Sequence, residues 1–269
     1  MEHRKWKGCF VLGLLAFLMM TPQVSADLLW HSEIVSKGVP GEPDGTQIGK
    51  NYCTEEACRI ESGDMVTIMD FQKGNMYILD PEEKTYAEMI PQDMGKDMDK
   101  EEQERMKQMT EGMMQGAEIT PTNEKKRISG YTCRKYIMRM MGVDNEYWLS
   151  KDVEGYKEFK KINENMAKGF EKNPMLKGMN VMGMMKALDG FPVKTVNRMP
   201  FGGSITTTLT RIERTPLNKN LFEIPKGYTL KKQEEVSAPA GPQQMPADMP
   251  EELKKMMEQM MKKSGKPSQ

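Results

Sequence analysis

Between positions 64 and 89 the chain alternates apolar and polar residues in three short runs separated by turn chemistry. The runs 65–71, 76–80 and 84–89 are rich in β-branched and aromatic residues, and Lys73-Gly74-Asn75 and Pro81-Glu82-Glu83 divide them. They predict a β-meander. Strands are expected on both sides of it. Residues 28–36 open the chain and are followed by a loop over 38–45 containing Pro40 and Pro43, and 47–53 with 58–62 form a hairpin before the meander.

After Pro91 the period changes. Met98, Met106, Met109 and Met113 fall mainly on one side at helical spacing, with Asp97 or Asp99 as N-cap. Residues 117–126 read as a polar loop, and 127–142 with 145–150 as a second hairpin turning near Val143-Asp144. Tyr156, Phe159, Ile162, Met166 and Phe170 recur at steps of three or four, which is one apolar helix face over 154–170. A second, looser helix follows over 175–188, weakened by Gly178 and Gly183. Strands return over 192–199 and 203–213, and 221–225 with 227–230 close the folded region. The expected class is α+β: a curved, half-barrel-like antiparallel sheet with Met-rich helices packed on or beside it.

The two ends read differently. Arg4, Lys5 and Lys7 precede a small-or-apolar run over 9–20, and Val24-Ser25-Ala26 offers a cleavage site, so residues 1–26 read as a secretory signal peptide. A spanning helix needs about 20 apolar residues. The run is shorter, and an exported, periplasmic protein starting near Asp27 is expected. Residues 231–248 carry Pro239, Gly241, Pro242 and Pro246 and read as a linker, and Met249, Leu253, Met256 and Met260 line one face of an amphipathic helix over 249–269. The domain lies between, at 27–230.

Charge and cysteine narrow the function. The full chain has 39 basic and 39 acidic residues, and loss of residues 1–26 leaves a net charge of about −2. Nothing in that balance favours nucleic acid. In an exported chain Cys53 and Cys58 sit at the spacing of two strand ends facing across a four-residue loop, and their pairing is favoured over one involving Cys133. His31 is the one histidine beyond the signal, and the chain has no P-loop, H-E-x-x-H or G-x-S-x-G. Neither catalysis nor a bound cofactor is expected.

Taken together, Met65-Val-Thr-Ile-Met-Asp70, Met76-Tyr-Ile-Leu-Asp80, Lys84-Thr-Tyr86, Gly130-Tyr-Thr-Cys-Arg-Lys-Tyr136, Glu146-Tyr-Trp-Leu-Ser150, Gly190-Phe-Pro-Val193 and Leu221-Phe-Glu-Ile-Pro-Lys-Gly-Tyr228 resemble an uncharacterised family of exported bacterial domains, domain of unknown function 4412. That family is similar in turn to the periplasmic lipoprotein carriers of the LolA/LolB type. The resemblance implies a curved sheet with an apolar concavity for an acyl chain, and no catalytic residue. The expected ligand is a hydrophobic small molecule or a lipidated protein, with transient membrane-surface contact. Trp30, Ile34, Met69, Tyr77, Tyr136 and Trp148 are the candidates to line the apolar side. The alternative is a soft-metal site: the chain has 29 methionines, and the thioethers of Met179, Met182, Met185, Met256 and Met260 suit Cu(I).

Overall fold

The computed structural model describes residues 27–41, 43–90, 99–101, 103–104, 117–140, 142–171, 181–200 and 202–231. The leader, the linker and the tail helix expected from the sequence lie outside these residues, as does most of the helix expected after Pro91. No helix among the described residues is long and apolar enough to cross a membrane.

Twelve strands form one open, curled sheet: β1 (Leu28–Lys37), β2 (Gly45–Cys53), β3 (Ala57–Ser62), β4 (Met65–Asp70), β5 (Asn75–Asp80), β6 (Thr85–Met89), β7 (Glu118–Ile128), β8 (Tyr131–Met140), β9 (Val143–Ser150), β10 (Phe191–Arg198), β11 (Ser204–Arg214) and β12 (Thr229–Leu230). Their order is β12-β6-β5-β4-β3-β2-β1-β11-β10-β9-β8-β7. The first strand is therefore central. Every pair is antiparallel except β12 with β6, where Thr229 and Leu230 lie parallel to Thr85 and Tyr86. Among the described residues α1 (Tyr156–Glu171), the short α2 (Val181–Ala187) and a 3-10 turn (Lys219–Phe222) accompany the sheet, so the class is α+β with little helix.

The meander owes its register to two similar turns. In each, an aspartate ends a strand and its Oδ1 accepts from two backbone amides: Asp70 from Gln72 and Lys73, Asp80 from Glu82 and Glu83. The residue four places on has positive φ. At the first turn it is Gly74 (φ 75°), but at the second it is Lys84 (φ 52°). An L side chain pays for that conformation, so Lys84→Gly is expected to raise stability by up to about 1 kcal/mol, as a later midpoint in urea.

Two expectations are corrected. Residues 118–128 are not a loop but the edge strand β7, whose pairing with β8 shifts register between Pro121 and Lys125. Its polar sequence suits an edge, where lysines, proline and a bulge discourage pairing with another chain. Nor is 127–142 one strand, since β7 ends at Ile128 and β8 begins at Tyr131; the turn expected near Val143-Asp144 falls just before them, between the paired residues Met140 and Val143. The additional tight turn is Ser129-Gly130, both at positive φ and joining Ile128 directly to its partner Tyr131.

Three buried clusters hold the sheet. One gathers Cys133, Trp148, Val153, Phe191, Val193 and Leu209. A second joins Leu28, the cystine, Phe71 and Ile162. The third joins Val66, Ile68 and Leu79, with Tyr77, Tyr86, Phe222 and Tyr228 packed against it. Helix α1 links the first two through Phe159, whose ring lies 4.5 Å from that of Phe191 and 6.1 Å from that of Trp30. The disulfide between Cys53 and Cys58 closes a loop in which Thr54 Oγ1 accepts from the amides of Glu56 and Ala57. Closing so short a loop contributes about 2 kcal/mol in the chain-entropy model. It also presents Glu55 to α1: Asn165 donates to the Glu55 carbonyl at 2.9 Å, and Lys161 pairs with its carboxylate at 2.6 Å.

Candidate functional site

Strands β8, β9 and β10 bring alternate residues into register as cross-strand neighbours. Lys135, Ile137 and Arg139 of β8 stand opposite Trp148, Glu146 and Asp144 of β9, and Lys194 and Val196 of β10 stand beyond Trp148 and Glu146. Because strand side chains alternate with period two, these residues share one surface. Arg139 and Asp144 face each other directly across it, and Lys135 lies diagonal to Glu146.

The ion pairs are well formed. Arg139 grips Asp144 with both ends of its fork (2.7 and 3.0 Å). Arg198 reaches the Asp144 carbonyl and the Glu146 carboxylate, both at 2.7 Å. The other Glu146 oxygen lies 3.3 Å from Lys135 Nζ, which also sits 3.4 Å from Glu124 and 5.5 Å from the centre of the Trp148 ring. The surface is hollowed in two places. A cavity of about 530 Å³ is lined by Ile137, Arg139, Gly142, Val143, Asp144, Glu146 and Arg198. A second, of about 300 Å³, is lined by β7 together with Glu146, Trp148, Lys194, Val196 and Thr208. Glu146 borders both, and the two hollows with the ion pairs between them make up the trough of this surface.

The sequence-derived lining candidates do not converge on it. Trp148 borders the smaller cavity. Tyr136 is buried and pairs with Tyr147 instead of with Trp148. Trp30 sits in the core between Phe159 and Phe191. Met69 packs on the cluster around the disulfide, while Tyr77 lies against Val66, Ile68 and Leu79. Ile34 is half-buried on β1, close to Gly49. Of the candidate metal ligands, Met179, Met256 and Met260 lie outside the described residues, and Met182 and Met185 belong to α2. Among the described residues no three His, Cys, Asp or Glu side chains gather as a metal site. His31, half-buried, has Lys50 and Arg211 as its register partners. The charged residues of the trough were missed from sequence, although Lys135-x-Ile137-x-Arg139 and Asp144-x-Glu146-x-Trp148 carry the signal: charge alternating on two successive strands.

Three carboxyls are held below their usual range: Asp144 by the Arg139 guanidinium, Glu146 by Arg198 and then Lys135, and Asp189 by Lys151 and then the Tyr156 hydroxyl. Protons bind these groups more weakly in the folded than in the unfolded chain. Their contribution is therefore present above the ordinary carboxylate pKa of about 4 and lost as pH falls through it towards the depressed folded values. The urea midpoint is expected to drop between about pH 5 and pH 3, and a Glu146→Gln, Asp189→Asn variant should show a shallower drop. Tyr156 moves oppositely. Burial, and then its hydrogen bond to Asp189 (2.7 Å), push its phenol up to about 12, so its contribution is full below the ordinary tyrosine pKa and is lost above it, as pH rises to about 12.

Several solved structures are similar to the chain at low identity. PNGF-II is 12% identical with a TM-score of 0.39, the match covering 89% of this chain and 33% of that one. The MucA/MucB complex of Pseudomonas aeruginosa gives 9% and 0.36, covering 72% of this chain and 54% of the other. A LolA superfamily protein from Nitrosomonas europaea gives 8% and 0.31, covering 74% and 91%. The chain thus spans a third to about half of the length of the first two. No curated protein matches it in sequence. A family model matches residues 46–228, from β2 through the last turn before β12, and the chain belongs to that family, the domain of unknown function DUF4412.

Proposed function

We propose that this is a non-catalytic protein of the cell envelope that binds a hydrophobic molecule, a lipid or a lipidated partner, on the meander. One observation supports the reading. Register places Cys58, Met69, Met76 and Met89 in one row across β3–β6, and Ile60, Thr67, Ile78 and Ala87 in the next. Met76, Met89, Ile60 and Ile78 are half-buried and belong to none of the three core clusters. They form a mainly aliphatic and thioether surface beside the part of the sheet that α1 covers. Methionine is suited to such a surface because its flexible, polarizable side chain adapts to ligands of varied shape. The face holds one hydroxyl, that of Thr67, and no charged side chain in these two rows, so what it accepts is apolar.

Native mass spectrometry of the protein purified gently from a periplasmic extract tests this, with and without added Cu(I). An acyl-lipid adduct that persists without copper, and that Ile78→Glu removes while the fold is retained by circular dichroism, is the expected result. Loss of the adduct should be nearly complete, since the substitution places a carboxylate where an acyl chain would lie. A bare chain in every sample would sink the reading, and copper adducts without lipid would turn attention to the methionine clusters.

A further inference from the structure

The smaller cavity of the trough has a feature its ion pairs do not account for. Its lining includes the cations Lys126 and Lys194 and one carboxylate, Glu146, whereas Arg127, next to Lys126 on β7 and paired with Thr132, borders it from the strand but alternates to the other face. That carboxylate is already engaged by Lys135 and Arg198. Lys126 and Lys194 have no ion-pair partner among the described residues. Lys194 is also half-buried, held at its place by pairing with Trp148 on one side and Thr208 on the other. An uncompensated cation that is partly withdrawn from water is costly unless an anion joins it.

The remainder of the lining is apolar or neutral: the Trp148 ring, Val196, Ile128 and the Thr208 hydroxyl. Trp148 is 6% exposed, so its ring is fixed in position by the core behind it. At about 300 Å³ the space lies at the lower end of the range for organic ligands and is larger than a bare oxyanion needs. A group with several oxygens answers two converging cations better than a single carboxylate does, and an apolar body answers Trp148, Val196 and Ile128.

We propose that this cavity binds a phosphate ester, its phosphoryl oxygens held by Lys126 and Lys194 and its apolar substituent laid against Trp148. The site is built from β7 and β9–β11, at the other end of the sheet order from the meander surface, and it stands or falls independently of that surface.

The shared chemistry, phosphate on an apolar body, belongs both to small soluble esters and to phospholipid headgroups. Isothermal titration of the purified protein therefore uses octyl phosphate, inorganic phosphate and octyl glucoside, beside flotation with phosphatidylcholine vesicles with and without phosphatidic acid. Octyl phosphate is expected to bind at least about tenfold more tightly than inorganic phosphate, weakening as salt is added, with no heat from octyl glucoside. Lys194→Gln, and separately Lys126→Gln, should each weaken it by about tenfold or more, and Lys194→Arg should restore most of the loss. Lys37→Gln, a charge change on β1 away from the cavity, should leave it unchanged. If Lys194→Gln also abolishes flotation with phosphatidic acid, the lipid headgroup is the source. Retained flotation with lost octyl phosphate binding assigns the site to soluble esters. Octyl phosphate binding that survives both cation substitutions overturns the proposal, as does binding to vesicles alone or inorganic phosphate bound as tightly as the ester.

Discussion

Phe191→Ala is expected to lower stability by about 3–5 kcal/mol, which for a domain of this size corresponds to a fall in Tm of roughly 10 °C. The side chain is fully buried at the start of β10. Its ring is 4.5 Å from Phe159 of α1 and 5.6 Å from Trp30 of β1, so it joins the helix, the central strand and the β8–β11 region at one point. Truncation leaves a cavity bounded by elements fixed through their own backbone pairing, which leaves little room for collapse. Differential scanning calorimetry of the two proteins measures the effect. A loss below about 1 kcal/mol would mean that the two halves of the core are not coupled through this ring.

The second large effect is at Gly203. It has φ +79°, and a Cβ there would lie 2.4 Å from the Gly38 carbonyl oxygen and 2.6 Å from the Val39 nitrogen. Both are backbone atoms and cannot rotate aside. The Gly203→Ala variant is expected to lose about 2–4 kcal/mol, from left-handed strain together with displacement of the segment that follows β1. Gly130 supplies the comparison. Its φ is +86° but nothing lies within 4 Å of the same position, so Gly130→Ala should show the strain alone, about 1 kcal/mol. Equal midpoint shifts in the two variants would show that the close approach of Gly203 to Gly38 carries no energy of its own.

Local chemistry made much of this fold legible. The meander could be read because its strands alternate and each turn begins with an aspartate whose carboxylate satisfies two amides. The cystine could be read because Cys53 and Cys58 are direct register partners as well as close in sequence. The face of α1 that meets the core is the one marked by Phe159, Ile162 and Met166. The β7 strand was hidden because its residues are mostly exposed, so no alternation is imposed on them and Pro121, Thr122 and Asn123 read as a loop. The two residues of β12 are too few for any periodic signal. The trough was hidden for a different reason. Each of its ion pairs joins strands, and the partners 50 or so positions apart, such as Arg198 and Glu146, become neighbours only once β10 lies against β9. What the sequence shows is the alternation of charge within a strand, not which strand will answer it.

The central place of β1 has a consequence for how the molecule is made. Its two neighbours come from opposite ends of the domain: β2 follows at once, whereas β11 is among the last strands of the sheet. At the same end of β1, Asp27 accepts a hydrogen bond from the Leu217 amide, 190 positions away. During synthesis the β1–β6 half can assemble early, but one edge of β1 must wait, unpaired, until nearly the whole domain has emerged. Closure over so long a separation is slow relative to local hairpin formation. The two edges of β1 are thus completed at different times, and the arrival of β11 is the step that joins the two halves of the sheet.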